Sequence, residues 1–550
     1  MTMNPNFKWM IHALAGVMIV FSAQADTKTW SASATTTSWA LGSNWVGGVA
    51  PVAGDDVVVF GRSAGGAFSP TENLAYTNVT LHSLTLKDSL DGNINLTLSR
   101  KVKIGAGGLS NGVPATAWWY LNDAVELTED QTWSSAGRPI DVVGAFTGAK
   151  LTWSPVNDTA TLFFRFNSTT WTSGLDVRGS VEARFYNFTG GSTITPFGVG
   201  NVTMINQKSN ASTASSPTIA LDSGVNTNLA TAYTLPNNII LSDMGTTGNF
   251  NIRRGQNSDE SVDAYFFILA GNITGSVNSS RTLTFSSAQT KVAQHVLTGT
   301  NTYSAQTVIA TNVVLRIGNN GTSGTLGTGA ITVNNGGKLA FNRSDTLMVS
   351  NVISGVGQVI QLGSGTTLLT GTNNFTAGMT VSNGTLWACN TAGSATGTNR
   401  VNVFSGATLG GIGMITGVVN VASGGYLKPG TNSIGTLTVG GLALASGATY
   451  AMQVGGVGSC DRCVVTKGAI DVTGSTLSVS FENSYVPTPG DSFTIIRNIP
   501  GTAVTGRFTN DTDFKVSSIP GVFSIKYTGG AGQDVVLHYK GILGTCICIQ

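Results

Sequence analysis

Residues 401–427 read VNVFSGATLGGIGMITGVVNVASGGYL and contain one short motif twice. The motif is a strand of the form apolar-x-Val, followed by a glycine and then by a leucine. Its two copies begin at Val401 and Val419, which are 18 residues apart. This spacing is close to the length of one coil in a small parallel β-helix. The stretch therefore predicts successive coils of such a helix.

A second repeat lies in the same half of the chain. The sequence LTGTNTYS at 297–304 recurs as LTGTNNFT at 369–376, and a strand pattern follows each copy, at 307–309 and 380–381. A third copy of the first motif begins at Ile331. A series of separate β-sandwiches, the main structural alternative, would need a longer repeat with its own core in each unit. Residues 297–450 contain no such unit, which favours a solenoid.

Composition excludes several other classes of protein. The chain has 550 residues with 71 Gly, 41% hydrophobic residues and only 10% charged residues. Disordered chains are more charged and less apolar, and collagen needs a glycine at every third position, a period that is absent here. Lys and Arg number 29 against 27 Asp and Glu, so the charge balance points to neither a nucleic-acid partner nor a polyanion.

Strand patterns with intervening turns continue along almost the whole chain. Short runs rich in Val, Ile, Leu and Thr alternate with Gly, Asn and Ser about every 8 to 12 residues. In a parallel β-helix, Gly and Asn occupy left-handed corners, and stacked Asn and Thr side chains can form hydrogen bonds along the axis. Such a surface is polar without charge. We expect an all-β chain that folds as a right-handed parallel β-helix.

The region from Leu297 to Asp534 resembles the autotransporter-associated β-strand repeat proteins, also called passenger-associated transport repeat proteins. The segments that carry the resemblance are LTGTNNFTAGMTV at 369–381, GATLGGIG at 406–413, LKPGTNSIGTL at 427–437, PGDSFTII at 489–496, VTGRF at 504–508 and YTGGAGQDV at 527–535. The opening, with Trp30, Trp39, Asn44-Trp45 and Phe60, also fits secreted relatives. The resemblance implies a bacterial β-helix displayed at, or released from, the cell surface, and it transfers no catalytic residues.

The resemblance and the repeats together divide the chain into regions. We expect an N-terminal β-rich region with a Trp-rich cap at 26–290, a repeat-bearing β-helix at 291–454, a C-terminal β-rich closing unit at 455–540 and a short tail at 541–550. The stretch beyond Asp534 is too short for the transmembrane barrel of an autotransporter or for a hydrophobic sorting tail. The sequence does not indicate how the protein is anchored.

The first 25 residues have the pattern of a signal peptide. Lys8 precedes an apolar run from Trp9 to Phe21, and Ala23-Gln24-Ala25 forms a cleavage site before Asp26. No segment reaches the length of about 18 apolar residues that a transmembrane helix needs. We therefore expect a secreted or surface protein without a transmembrane span after cleavage.

The five cysteines do not form a disulfide scaffold. They are Cys389, Cys460, Cys463, Cys546 and Cys548. An odd number spread over so long a chain fits neither a disulfide framework nor a zinc ribbon, which needs two CxxC pairs. For Cys460 and Cys463 a local disulfide and two free thiols both remain open, and we expect no metal site.

Two acidic groups are the candidates for an enzyme site. Parallel β-helices can host lyases and glycosidases that use clustered carboxylates, yet Asp345 is the only carboxylate between Asp263 and Asp461. Carboxylates are more frequent in the N-terminal half. It supplies the residues that such a site would need, namely Asp123 and Glu126 in one group and Asp259, Glu260 and Asp263 in another. Groups this short are usually solvated loops, so the sequence favours a non-enzymatic protein.

A serine hydrolase is not indicated. Gly61-Arg62-Ser63-Ala64-Gly65 matches a nucleophile elbow, but a loop rather than a helix follows it. His82, His295 and His538 are far apart in sequence, and nothing in the sequence places His82 beside Ser63.

Aromatic residues are concentrated in the N-terminal third. Trp118, Trp119 and Tyr120 could stack on sugar rings and are the candidate carbohydrate-binding residues. Because neighbouring residues of a strand face opposite sides, one of the two Trp residues should be buried. Trp30, Trp39 and Trp45 are expected to seal the open N-terminal end of the solenoid.

These observations predict an exported, non-enzymatic surface or extracellular protein that is adhesin-like or part of a matrix, with no cofactor. Glycans, cell surfaces or extracellular matrix are the expected partners. One alternative is a carbohydrate-active β-helix enzyme with its site in the N-terminal half. Another is an ice- or crystal-binding solenoid, which the irregular spacing of Thr322, Thr325, Thr328 and Thr332 disfavours.

Overall fold

The computed structural model describes residues 26–31, 39–53, 55–60, 79–87, 101–111, 119–121, 123–136, 139–156, 160–184, 193–207, 216–222, 232–245, 247–254, 265–288, 290, 292–529 and 533–542. Across these ranges the chain is all-β, with strands β1 to β46 and one 3-10 turn at Gly42–Asn44 but no α-helix. The predicted signal peptide lies outside the described residues.

Two sheets carry most strands of the N-terminal half. The 12-stranded sheet consists of β1 Thr27–Thr29, β2 Asp56–Phe60, β3 Val79–Lys87, β4 Val102–Asn111, β6 Val125–Leu127, β7 Gln131–Ser135, β9 Phe146–Gly148, β10 Leu151–Trp153, β12 Leu175–Val177, β14 Val202–Ile205, β17 Ile239–Ser242 and β20 Ile273–Thr274. The ten-stranded sheet consists of β5 Trp119–Leu121, β8 Ile140–Val142, β11 Thr161–Phe164, β13 Ser180–Arg184, β15 Thr218–Asp222, β18 Phe250–Arg254, β21 Thr282–Ser287, β23 Gln306–Ile309, β25 Ile331–Val333 and β28 Ile353–Gly355.

Two further sheets continue into the C-terminal half. The 16-stranded sheet consists of β16 Tyr233–Leu235, β19 Tyr265–Leu269, β22 Ala293–Leu297, β24 Val313–Gly321, β26 Lys338–Arg343, β29 Gln358–Gln361, β31 Met379–Val381, β33 Val401–Val403, β35 Met414–Val421, β37 Thr436–Leu444, β40 Arg462–Val465, β41 Ile470–Asp471, β43 Ser492–Asn498, β44 Phe514–Val516, β45 Ile519–Gly529 and β46 Asp534–Gly541. The eight-stranded sheet consists of β27 Thr346–Val349, β30 Thr366–Leu369, β32 Thr385–Ala388, β34 Thr408–Gly411, β36 Tyr426–Pro429, β38 Thr449–Gly456, β39 Ser459–Cys460 and β42 Thr476–Phe481.

The chain winds through these sheets in coils. Strands β25, β26 and β27 belong to three different sheets, and β28, β29 and β30 visit the same sheets in the same order one coil later. Each strand pairs in parallel with its counterpart, as in Ile331 with Ile353 and Leu339 with Val359. The expected parallel β-helix is therefore confirmed.

The motif at 401–427 forms two stacked strands. Val401 pairs with Val419, Val403 pairs with Val421, and all four valines are buried. Their inward position follows from the alternation of side chains along a strand, and burial of each valine contributes about 1.5–3 kcal/mol.

A single core runs through the described chain. One continuous cluster of buried apolar side chains extends from Trp30 to Tyr539. Separate β-sandwiches would each enclose a core of their own, so this cluster argues against that alternative.

The two ends of the structure differ in strand pairing. At the N-terminal end β1 is the edge strand, and the buried Trp45 ring contacts the buried rings of Trp30 and Trp39, with centroid distances of 4.9 and 5.6 Å. Near the C-terminal end the pairing becomes antiparallel between β43 and β46, β46 and β45, and β45 and β44. The boundary predicted at residue 455 falls within β38.

Candidate functional site

Carbohydrate binding by Trp118, Trp119 and Tyr120 stays a prediction. Trp119 and Tyr120 lie on β5, where Trp119 pairs with Ile140 of β8, and Trp118 lies outside the described residues. Other N-terminal Trp residues, Trp133 and Trp153, are fully buried core residues.

Of the two candidate acidic groups, the structure describes only the one that contains Asp123 and Glu126. The Glu126 carboxylate lies 2.5 Å from Lys101 Nζ and 3.2 Å from Lys103 Nζ, and the hydrogen bond from Lys101 lowers the pKa of Glu126. Asp123 accepts a hydrogen bond from the backbone amide of Ala124 at 2.6 Å. A general acid needs a raised pKa, so Glu126 is not suited to that role.

The second acidic group, Asp259, Glu260 and Asp263, lies outside the described residues. Ser63 of the elbow motif does so too. His82 forms a hydrogen bond through Nδ1 with Asp56 Oδ1 at 2.8 Å, and the Ser83 hydroxyl donates to the same oxygen.

Cys460 and Cys463 are free thiols in this structure, the second of the two alternatives that the sequence left open. Cys460 ends β39, Cys463 lies in β40, and both side chains are buried. The Cys460 thiol donates to the carbonyl of Thr494 at 3.7 Å, and burial raises the pKa of Cys463 to about 12. Neither thiol is suited to nucleophilic or redox chemistry.

Asp461, which follows Cys460, is a buried carboxylate that was not predicted as a site residue from the sequence. Its two oxygens accept hydrogen bonds from the backbone amides of Gly435 and Gln453, at 2.8 and 2.9 Å. Burial raises its pKa to about 6. Asp461 therefore ties the β38–β39 turn to the preceding coil.

Four threonines stack in register along one row of the eight-stranded sheet. Thr346, Thr366, Thr385 and Thr408 follow one another along the outer face of the eight-stranded sheet. Two positions further along each strand the outward residues are Met348, Leu368, Trp387 and Gly410. The double row that a threonine-based ice-binding face requires is absent from these strands.

The described surface carries a groove on the outer face of β33, β35, β37 and β41. Two hollows, lined by neighbouring residues of these strands, form it, with volumes of about 290 and 420 Å³. We call these together the outer groove, and its lining includes Arg400, Asn402, Phe404, Asn420, Lys467 and Asp471. They come from three coils, those of β33, β35 and β41.

Strand alternation positions the side chains of the outer groove. Val401 and Val403 point into the core, so Arg400, Asn402 and Phe404 point outward. Asn402 pairs with Asn420 in the next coil, and Asn420 Nδ2 donates to Asn402 Oδ1 at 3.1 Å. This ladder is the kind of axial hydrogen bond expected from the Asn-rich composition.

The outer groove was not predicted as a site from the sequence. The signal lay in the x position of the apolar-x-Val motif, where both stacked copies carry Asn, and in the exposed residues that flank it. Lys467 and Asp471 follow no motif, and nothing in the sequence assigned them to the same face.

The described part of the chain contains no helix with the length and hydropathy needed to cross a membrane.

Comparison with known proteins identifies two relatives over part of the chain. No protein-family model matches it. The chain is 35% identical over 216 residues to the adhesin BmaC autotransporter of Brucella suis biovar 1 (strain 1330), covering 38% of this chain and 6% of that protein. It is 31% identical over 170 residues to an extracellular serine protease of Serratia marcescens, covering 29% of this chain and 15% of that protein.

The chain thus matches only a small part of the length of either relative. At this identity and coverage the comparisons support a relationship to autotransporter proteins and a surface or extracellular location, without singling out one repeat family.

Proposed function

We propose that this protein is an exported, non-enzymatic adhesin that presents its β-helix as a rigid contact surface. The observation that carries the proposal is the single core that extends from Trp30 to Tyr539 beneath stacked parallel strands. Each coil is held by its neighbours, so outward side chains keep fixed positions over many coils. Similarity to an autotransporter adhesin points to the same role.

The proposal also assigns roles to three regions of the sequence. Residues 1–25 act as the export signal, residues 291–454 carry autotransporter-associated repeats, and residues 455–540 close the helix. The ion pairs of Glu126 with Lys101 and Lys103 favour a structural role for that carboxylate over catalysis.

Adhesion of coated beads tests the proposal. The full chain, produced by export so that any leader is removed, is coupled to beads and applied to cultured cells and to extracellular matrix. We expect the beads to be retained above the level of beads coated with the heat-unfolded chain. Equal retention of the two would contradict the proposal.

A depolymerisation screen tests the enzymatic alternative. The same preparation is incubated with a panel of polysaccharides, with and without Ca²⁺, and new reducing or unsaturated ends are measured. We expect none, and their appearance would identify an enzyme.

A further inference from the structure

We propose that the outer groove binds a short acidic oligosaccharide, with its anionic group at Arg400 and Lys467 and its sugar rings along Asn402, Asn420 and Phe404. This inference deepens the adhesive function proposed above and rests on that function only for its biological purpose.

The cationic end of the outer groove has no internal counterion. Within the continuous stretch 292–529, neither Arg400 nor Lys467 takes part in an ion pair, and both side chains are exposed. The smaller hollow, which they line, includes no acidic residue. By contrast, Arg343 and Arg507 are paired with carboxylates. An anion placed between two uncompensated cations is attracted by both.

The floor of this hollow cannot be filled by a side chain. A Cβ atom on Gly417 would collide with the carbonyl oxygen of Asn399, and one on Gly440 would collide with that of Thr416. Glycine is therefore required at both positions by the close approach of the neighbouring coil. The backbone itself maintains the hollow.

The middle of the outer groove offers hydrogen bonds that match sugar hydroxyls. The Asn420–Asn402 bond uses one atom of each amide, which leaves Asn402 Nδ2 as a donor and Asn420 Oδ1 as an acceptor. Asp471 Oδ1 accepts from the amide and hydroxyl of Thr473, at 2.9 and 2.6 Å. Asp471 lines the larger hollow, and its second carboxylate oxygen can accept a hydrogen bond from a sugar hydroxyl.

Phe404 supplies the apolar wall. Its side chain is half exposed, and it lines the larger hollow together with the small residues Ala422, Ala443 and Ala445. An aromatic ring beside paired amides suits the mixed polar and apolar faces of a pyranose. An acidic peptide would satisfy the cations but would leave the amide pair without hydroxyl partners.

The overall charge of the protein does not reveal this site. The formal net charge is only +2, and the attraction arises because two cations from different coils line the same hollow. A ligand with one or a few charges therefore fits better than a long polyanion.

Titration calorimetry of the full exported chain tests the inference. The probes are oligogalacturonate for a carboxylate, sulfated dextran oligosaccharide for a sulfate, neutral dextran oligosaccharide, and a glutamate peptide. We expect one or both acidic sugars to bind at least tenfold more tightly than the neutral sugar and the peptide. The preferred acidic probe identifies the anionic group.

Variants locate the binding site. The double variant Arg400→Gln with Lys467→Gln should raise the Kd of the acidic sugar at least tenfold, and Phe404→Ala should raise it about threefold or more. The matched control Lys338→Gln removes an exposed charge from the same sheet three coils earlier and should leave the Kd unchanged. Thermal unfolding of each variant verifies folding.

The inference is overturned if the neutral sugar or the peptide binds as tightly, if the double variant retains the wild-type Kd, or if Lys338→Gln weakens binding equally. Comparison with the bead assay distinguishes failure of the groove from failure of the adhesive function. Sugar binding that maps to the outer groove without bead adhesion would refute the adhesive function alone, whereas bead adhesion unaffected by the double variant, together with no sugar binding, would refute the groove alone.

Discussion

Asn301 and Asn373 make the same two hydrogen bonds at equivalent corners of the β-helix. In each case Oδ1 accepts from a backbone amide in the preceding coil, and Nδ2 donates to a backbone carbonyl in the following coil. The partners are Ile273 and Thr325 for Asn301, at 2.7 and 2.6 Å, and Ile353 and Ala395 for Asn373, at 2.7 and 2.6 Å. The Asn of the LTGTN repeat therefore joins three coils.

Replacing Asn373 should destabilise the fold. Asn373→Ala leaves the buried amide of Ile353 and the carbonyl of Ala395 without their partner, which costs about 1–3 kcal/mol for each group. We expect a clearly lower urea midpoint, measured by far-UV circular dichroism. The neighbouring Asn374 is exposed, so Asn374→Ala should change the midpoint little. Equal effects of the two substitutions would disprove the role of the corner.

Filling the floor of the outer groove should also destabilise the protein. Gly440→Ala forces the new methyl group against the carbonyl of Thr416, and overpacking of this kind costs about 1–3 kcal/mol. Gly321→Ala is the matched control, because a Cβ there meets nothing within 4 Å. Thermal unfolding should separate the two variants, and a Gly440→Ala protein as stable as the control would show that the coil spacing can adjust.

Asp461 should stabilise the protein on mild acidification. Burial raises its pKa from the usual 3.8 to about 6, so the folded state binds a proton more tightly than the unfolded state. The resulting stability is fully present below pH 4 and is lost as the pH rises through 6. Asp461→Asn should remove this component from the pH dependence of the urea midpoint. An unchanged slope in the variant would be inconsistent with the shift.

His295 should make the protein less stable on acidification, the opposite of the effect of Asp461. It is fully buried beside Phe267 and Phe285, and burial lowers its pKa from 6.5 to about 4. The unfolded state binds the proton more tightly, so stability is complete above pH 6.5 and falls, by up to about 3 kcal/mol, as the pH drops through 4. His295→Phe should flatten this limb of the pH–stability curve, and a variant with the wild-type acid limb would contradict the assignment.

The buried thiols should resist alkylation until the protein unfolds. Cys463 is fully buried with a pKa raised to about 12, and a thiol rather than a thiolate reacts slowly. Site-resolved mass spectrometry after iodoacetamide treatment should find Cys463 unmodified in the native protein and modified in urea. A Cys460–Cys463 peptide two mass units lighter than the dithiol would instead reveal a disulfide.

Local regularities let the sequence predict the class of fold. The alternation in Val401-Asn402-Val403 and its recurrence at Val419 define an inward face and a coil length, and the structure stacks these two strands directly. A repeated pattern suffices here because each coil contacts chiefly its neighbours, so short-range periodicity carries most of the packing information.

Coil length varies along the rest of the chain, so the outward residues that come together could not be predicted from the sequence. Val202 pairs with Ile239, 37 residues later, whereas Val401 pairs with Val419 after only 18. Loops of different length leave the core register intact but alter which outward residues come together. The presence of Arg400 and Lys467 in the lining of one hollow therefore cannot be deduced from their separation in sequence.

The sequence alone determined that the chain is all-β, that its strands stack in parallel coils, and which side chains of the repeats point inward, because apolar burial imposes a regular pattern on every coil. Only the tertiary structure decided that Cys460 and Cys463 remain free, that Asp461 is buried, and that cations, amides and Phe404 share one groove. Those outcomes depend on the three-dimensional register between coils, which the intervening loops set without a repeating pattern.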